Sequence, residues 1–315
     1  MSDKTKIIAI VGPTASGKTA LSIALAKKYN GEIISCDSMQ IYRGMDIGTA
    51  KPDIEEMDGI VHYMFDVADP TDNYSCADYV REAKQKIKEI VSKGKLPIIC
   101  GGTGLYLDSL LRGGSFEVTD TLPEYRAELE ALAMKEGNVK VHEMLMAVDR
   151  ESAEAIHPNN LKRVIRALEI YKSTGVPKSV LDKESRKPES EYEALVIGIR
   201  FTDREVLYDR INRRVDIMLD MGLEEETRRL FSEGVFDGSG TATQAIGYKE
   251  LLGYIRGEMT FDEAKEELKT ASRRYAKRQM TWFSAHSNVR WVDVEGGYDF
   301  NKVFTDACAL ADSFI

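Results

Sequence analysis

The chain has 315 residues, 43% of them hydrophobic and 30% charged, with a formal net charge of −9. That is enough for one large or two smaller domains around a sizeable core, and no apolar run approaches the ~20 residues of a membrane span. The acidic balance disfavours a protein that coats nucleic acid indiscriminately, while leaving room for a local basic groove.

The start, Met1–Lys4, leads directly into the first strand and leaves no room for a signal peptide. The four cysteines, Cys36, Cys76, Cys100 and Cys308, form no Cys-x-x-Cys pair, so no zinc finger is expected. Reduced thiols in a cytoplasm are expected instead. Nothing argues for an interface, so a monomer is expected.

The first strand is Ile7–Val11, and it runs into Gly12-Pro13-Thr14-Ala15-Ser16-Gly17-Lys18-Thr19. A helical stretch, Ala20–Ala26, follows. This is Gly-x-x-x-x-Gly-Lys-Ser/Thr between a strand and a helix, the context a P-loop needs. The glycines let backbone N–H groups turn toward an anion, and the helix N-terminus adds partial positive charge. Lys18 supplies a full charge, and the Thr19 hydroxyl can ligate Mg²⁺. The motif specifies a di- or triphosphate ligand, not nucleotide hydrolysis.

Further along, Gly31–Cys36 reads as a buried strand ending at Asp37, and Tyr79–Lys93 as a helix with Val80, Ala83, Ile87, Ile90 and Val91 on one face. Leu96–Cys100 is a third strand, broken by Gly101-Gly102. Alternating strands and helices predict an α/β fold, a P-loop NTPase-like parallel sheet with helices on both faces. Ligands in such sheets sit at the carboxyl ends of strands, where the P-loop, Asp37-Ser38-Met39-Gln40 and Gly101-Gly102-Thr103-Gly104 converge.

From about Ser115 the pattern becomes helical: Pro123–Lys135, Val139–Ala147 and Leu161–Ser173. Asn159 or Asn160 can cap the last of these and Gly175 can end it. A polar stretch, Asp182–Tyr192, leads to a strand at Ala194–Ile199. Residues 116–193 read as a helical insertion in a catalytic core of residues 1–115 and 194–315. One continuous fold with long helices is the alternative. The C-terminal third adds helices Asp203–Met221, Leu223–Ser232, Ala245–Gly253 and Thr260–Ser284, then a strand at Val289–Val292.

A P-loop NTPase carries an acid at the end of a second apolar strand. Here Leu96–Cys100 ends in glycines, and the acid is Asp37. That carboxylate can serve a metal ion or act as a general base beside the phosphates. Ser38 and Gln40 add groups of the kind that read a base edge. The residues alone leave a small-molecule kinase using ATP and a non-catalytic RNA-binding module as other readings.

The chain resembles the tRNA dimethylallyltransferase (tRNA isopentenyltransferase) family. The resemblance rests on Gly12–Thr19, on Asp-Ser-Met-Gln-Ile-Tyr-Arg-Gly-Met-Asp-Ile-Gly-Thr-Ala-Lys-Pro at 37–52, and on His62, Asp69-Pro70 and Tyr74-Ser75. Gly101–Tyr106, Ile156–Asn159, Arg163–Glu169, Gln244–Tyr248 and Ala276–Trp282 complete it. The resemblance implies transfer of a dimethylallyl group from dimethylallyl diphosphate to the exocyclic amine of the adenosine 3′-adjacent to the anticodon of tRNA. It implies a P-loop, Gly12 to Thr19, that grips pyrophosphate, with Lys18, Thr19 and Mg²⁺ stabilising the leaving group. Arg214, with Arg210 second, resembles the family's diphosphate contact, and Asp37 resembles its general base. Thr103 would contact the adenosine or orient the diphosphate, and Ser38, Met39 and Gln40 would lie against the flipped adenine.

Lys162, Arg163, Val164, Ile165 and Arg166 resemble a tRNA-contacting segment, and Arg126 a second contact. The family often has Gln at the position of Lys162; a basic residue there keeps the phosphate contact. A third basic run, Arg273–Arg278, is followed by Trp282 and Phe283, residue types more often found in a core. A free-nucleotide isopentenyltransferase is the nearest alternative, and it has no use for a basic helical insertion. The absence of a zinc finger fits a bacterial form.

Overall fold

The computed structural model describes residues 4–112, 122–184, 190–238 and 240–315. The chain divides into two compact units, Met1–Leu111 with Glu191–Ile315, and Arg112–Ser190. The sequence places the divisions at 115/116 and 193/194. The first of these lies outside the described residues. At the second the strand begins earlier, because Tyr192 and Glu193 already pair with Thr5 and Lys6.

In the larger unit, β1 (Thr5–Val11) leads through the P-loop into α1 (Lys18–Lys28). β2 (Gly31–Ser35), the single turn α2 (Ile54–Met57), the two-residue β3 (His62–Tyr63), α3 (Cys76–Ser92), β4 (Leu96–Gly101) and α4 (Gly104–Leu111) follow. The smaller unit is helical: α5 (Pro123–Glu136), α6 (Asn138–Val148), α7 (Arg150–Ala155), α8 (Leu161–Thr174) and α9 (Lys178–Glu184). The chain then returns to the larger unit as β5 (Tyr192–Phe201), α10 (Arg204–Asp220), α11 (Leu223–Ser232), α12 (Tyr248–Ile255), α13 (Phe261–Ser284), β6 (Val289–Val294) and α14 (Phe300–Asp312).

All six strands run parallel in the order β3-β2-β4-β1-β5-β6. Period-two alternation splits β1 between two cores. Ile7, Ala9 and Val11 pack on one face with Ile34, Ile99, Val196 and residues of α3 and α4. Ile8 and Ile10 pack on the other with Ile33, Ile98, Ile197 and residues of α1 and α14. Both faces are covered, so the strands read as continuous apolar runs, as parallel strands do.

The strand order positions the site. β2, β4 and β1 are adjacent, so their carboxyl ends deliver the Asp37 loop, the Gly101 turn and the P-loop side by side. Neighbouring strands lie ~4.8 Å apart, so the P-loop and the Asp37 loop flank the Gly101 turn. The turn itself has no room for a side chain. A Cβ at Gly101 would lie 2.1 Å from the Cys36 carbonyl oxygen.

One expected helix starts later and one helix is new. The helix expected at Ala245–Gly253 starts at Tyr248, because Gly247 takes φ +111° and Thr241–Gln244 form a 3-10 turn before it. α14 is an addition to the expected elements, although Asp299 caps it through Asn301 and Lys302 and Val303, Ala307, Cys308 and Ala311 form its buried stripe.

The smaller unit has its own core of Leu129, Ala133, Val141, Leu145, Ala153, Val164, Ile165, Ala167 and Leu168. α8 ends where Gly175 takes φ +71°; Asn160 stands at its N-cap without a side-chain bond. Among the described residues, no helix is long and apolar enough to cross a membrane.

Candidate active site

The P-loop backbone is shaped for an anion. Gly12 at φ +152°, Ala15 at +61° and Gly17 at +92° turn the chain tightly. A Cβ at Gly17 would lie 2.1 Å from the Tyr298 hydroxyl oxygen, so this glycine is required on two grounds. Ser16 is fully buried and its Oγ has no partner among the described residues. Lys18 Nζ donates to the Pro13 carbonyl at 2.8 Å. Burial pushes the Lys18 ammonium down to about 8; Cys100 and Asp37 oppose the shift and Arg214 adds to it.

α10 brings two more cations to the loop. Arg210 Nε donates to the Ala15 carbonyl at 2.9 Å, and its guanidinium lies 3.9 Å from the centre of the Tyr298 ring. Arg214 Nη2 reaches the Ala50 carbonyl at 3.5 Å. Burial lowers the Arg214 pKa from its ordinary value; Glu56 and Asp37 oppose this and Arg210 adds to it. Among the described residues, none of Lys18, Arg210 and Arg214 has an ion-pair partner within 4.0 Å. Three cations with no directly ion-paired carboxylate among the described residues favour the entry of an anion.

On the other side of the Gly101 turn, Asp37 Oδ1 accepts from the Met39 N–H at 2.9 Å. Thr103 Oγ1 accepts from the Ser38 N–H at 3.0 Å and lies 3.3 Å from Ser38 Oγ. Thr103 thus ties the end of β4 to the Asp37 loop. Tyr275 on α13 faces the same point: burial raises its pKa, Asp37 raises it further, and a Thr103 hydrogen bond opposes them.

Gln40 is tied into its own loop. Its Oε1 accepts from Ser35 Oγ at 2.8 Å, and its Nε2 donates to the Thr49 and Ala50 carbonyls at 3.2 Å each. The amide ties its own loop together, and its oxygen, with one donor, keeps a lone pair free. Met39 packs against the core formed by α10 to α13.

The loop is anchored from α11 by a residue that no motif in the sequence singles out. Buried Glu226 accepts from the N–H groups of Asp46, Ile47 and Gly48 at 3.0–3.1 Å and from the Tyr248 hydroxyl at 2.6 Å. Gly48 is needed there, since a Cβ would lie 2.4 Å from the Tyr248 ring. An acid at a helix's apolar face, in Leu-Glu-Glu-Glu-Thr, is the available signal.

In the smaller unit the basic segment divides in two. Lys162 and Arg163 are exposed. Val164 and Ile165 are 0% and 1% exposed in the helical core, which rules them out as contacts for tRNA; on a helix, neighbours in sequence point to different faces. Arg126 grips the fully buried Glu169 with both prongs, at 3.0 and 2.6 Å, and Arg166 lies 3.6 Å from the same carboxylate. In the larger unit, Phe283 is core, whereas Trp282 is 37% exposed and donates from Nε1 to Asp108 at 3.0 Å.

A P-loop leaves a central strand of a parallel sheet, with Lys18, Arg210 and Arg214 at the loop and Asp37 beside it, in an α/β protein. The sequence model of one family, described as IPP transferase, matches residues 40–286. Relatives named tRNA dimethylallyltransferase include one from Acetivibrio thermocellus, 53% identical with 91% of each chain covered. Another, from Bacillus cereus strain AH187, is 52% identical over 95% of this chain and 93% of its own. Among solved structures, a tRNA isopentenylpyrophosphate transferase from Bacillus halodurans aligns with a TM-score of 0.72 at 46% identity, over 98% and 96% of the two chains. A eukaryotic dimethylallyltransferase acting on tRNA aligns with a TM-score of 0.82 at 31% identity, over 98% of this chain and 77% of that one. The chain therefore belongs to the IPP transferase family and is a transferase enzyme.

Proposed function

We propose that this enzyme transfers a dimethylallyl group from dimethylallyl diphosphate to the exocyclic amine of the adenosine 3′-adjacent to the anticodon of tRNA, releasing pyrophosphate. The observation that carries this reading is the set of three cations, Lys18, Arg210 and Arg214, gathered at a glycine-shaped loop with no acidic partner among the described residues. The family membership and the relatives' names support the choice of reaction.

In this reading the diphosphate lies against the loop N–H groups, Ser16 Oγ and the three cations. Their preorganised charge stabilises the leaving pyrophosphate as the C1–O bond breaks. The adenine amine, delivered on the Asp37 and Thr103 side, forms the C1–N bond, and Asp37 takes the proton it loses. Thr103, through Ser38, holds the Asp37 loop in place for that transfer.

Hard oxygen donors suit Mg²⁺, and Thr19 with the partnerless Ser16 hydroxyl beside a diphosphate offers such a set. Among the described residues no cluster of three or more acidic, His or Cys side chains competes for a different metal. Mg²⁺ held at Thr19 would add charge neutralisation at the diphosphate.

An adenine in a stacked loop is out of reach, so the base is flipped toward Asp37. Exposed Lys162 and Arg163 of the helical unit supply phosphate contacts that hold the tRNA. We place the enzyme in the cytoplasm, as a monomer. Single-turnover transfer with Asp37→Ala tests the mechanism: transfer falls by about 10²–10⁴-fold with tRNA affinity retained. Unchanged transfer removes Asp37 as the base.

A further inference from the structure

One buried polar side chain takes no part in the chemistry above, yet it joins the two loops on which that chemistry depends. Gln279 lies on α13 and is 5% exposed. Its Oε1 accepts from the Thr14 N–H at 2.9 Å, and its Nε2 donates to the Gly102 carbonyl at 3.1 Å. These partners fix the amide's orientation, because a backbone N–H needs the oxygen and a carbonyl needs the nitrogen.

Each end of the amide therefore holds one loop. Thr14 opens the run that ends in Lys18 and Thr19. Gly102 precedes Thr103, whose hydroxyl accepts from the Ser38 N–H beside Asp37. The turn is shaped around the amide, since a Cβ at Gly102 would lie 2.0 Å from Gln279 Nε2. The helix that carries Gln279 is itself fixed to the P-loop: Ala276, one turn earlier, packs in a cluster with Ala15, Leu207 and Ile211.

We propose that Gln279 is a positioning residue for group transfer, its amide holding the diphosphate loop and the Thr103–Asp37 side at a set separation so that occupation of one is felt at the other. This rests on the reading that the isoprenoid diphosphate occupies the P-loop and the adenosine lies at Asp37. Displacement at an allylic carbon needs nucleophile and leaving group aligned, with the reacting atoms about 3–3.5 Å apart before reaction. Here the two reactants are held by different loops, so an error in loop spacing enters the reaction coordinate directly. Glutamine is the side chain that meets both requirements at this length. Glutamate lacks the donor, asparagine is one methylene shorter, and methionine has the shape with neither function.

The test uses Gln279→Met and Gln279→Glu, both close in volume to the original. With saturating tRNA and dimethylallyl diphosphate, turnover falls about 30–100-fold in both, while each KM stays within about threefold. A residue that only packs would lower thermal stability and leave the turnover of folded enzyme unchanged. A second readout does not depend on activity. Inorganic pyrophosphate with Mg²⁺ is titrated into ¹⁵N-labelled full-length protein. In the unaltered protein the amides of Gly102 and Thr103 shift together with those of residues 14–19. In Gln279→Met the P-loop shifts persist and the Gly102 and Thr103 response is lost. Turnover within about threefold of the unaltered enzyme, or a retained Gly102 and Thr103 response, overturns the proposal. Failure of the unaltered protein to modify tRNA overturns the reaction reading instead, and the amide titration still decides the role of Gln279.

Discussion

Replacing Glu226 by alanine probes the anchor of the Asp37-bearing loop. The carboxylate accepts from three backbone N–H groups, those of Asp46, Ile47 and Gly48, and from the Tyr248 hydroxyl. Leaving one buried donor unmade costs about 1–3 kcal/mol. Four such donors do not sum, because the loop relaxes and water enters, so the expected loss is about 3–5 kcal/mol. At about 2 °C per kcal/mol for a domain of this size, the melting temperature falls about 6–10 °C. Tyr248→Phe removes one bond and costs about 1 kcal/mol.

The effect reaches the site through Gln40, whose amide bonds to Thr49 and Ala50, and through Arg214, which reaches the Ala50 carbonyl. Transfer at saturating substrates is expected to fall at least tenfold in Glu226→Ala, a barrier increase of about 1.4 kcal/mol or more. Calorimetric unfolding and single-turnover transfer measure the two effects on the same sample. A loss under about 1 kcal/mol with unchanged transfer would refute the anchoring argument.

Other outcomes follow from the same geometry. Lys18 ordinarily titrates at 10.5 and is held at about 8 here by burial. A folded pKa below the unfolded one means that the charged form opposes folding, so the cost is full below pH 8 and is relieved as pH rises from 8 to 10.5. A diphosphate restores the charge. Pyrophosphate binding therefore takes up a proton above pH 8 and weakens as pH rises, which calorimetry in buffers of different ionisation enthalpy detects; Lys18→Ala abolishes the uptake. Lys162→Ala and Arg163→Ala each weaken tRNA binding and reduce its salt slope by about 1. Ile165→Ala instead destabilises the helical unit by about 2–5 kcal/mol, visible as an earlier melting transition. Gly102→Ala forces a Cβ to 2.0 Å from Gln279 Nε2 and reduces turnover without loss of tRNA affinity in a filter-binding assay.

Five of the six strands are legible in the sequence as apolar-rich runs, and the P-loop because its glycine spacing is a backbone requirement; the two-residue β3, His62–Tyr63, has no such run. Ile7–Val11 and Leu96–Cys100 need no tertiary context. What cannot be read from the sequence is which polar side chains near the site are spent on the scaffold. Gln40 and Gln279 look alike in sequence, and only the fold reveals that Gln40 bonds within its own loop, to Ser35, Thr49 and Ala50, while Gln279 bonds to Thr14 and Gly102, both distant in sequence. Val164 and Ile165 fall within the expected tRNA segment because the resemblance covers a contiguous stretch, whereas a helix presents such a stretch to two sides. Short helices such as α7 and α9 have too few turns to display a period. The α14 stripe, by contrast, has the length and spacing to be readable.

The most direct test of the account is to incubate the protein with Mg²⁺, unmodified tRNA and dimethylallyl diphosphate radiolabelled in the isoprenoid, with free adenine nucleotide present as competitor. Label in tRNA, released on digestion as a single modified adenosine and abolished by Lys18→Ala, is the predicted result. Label in free adenine nucleotide, or none transferred from the isoprenoid while ATP donates phosphate, would contradict it.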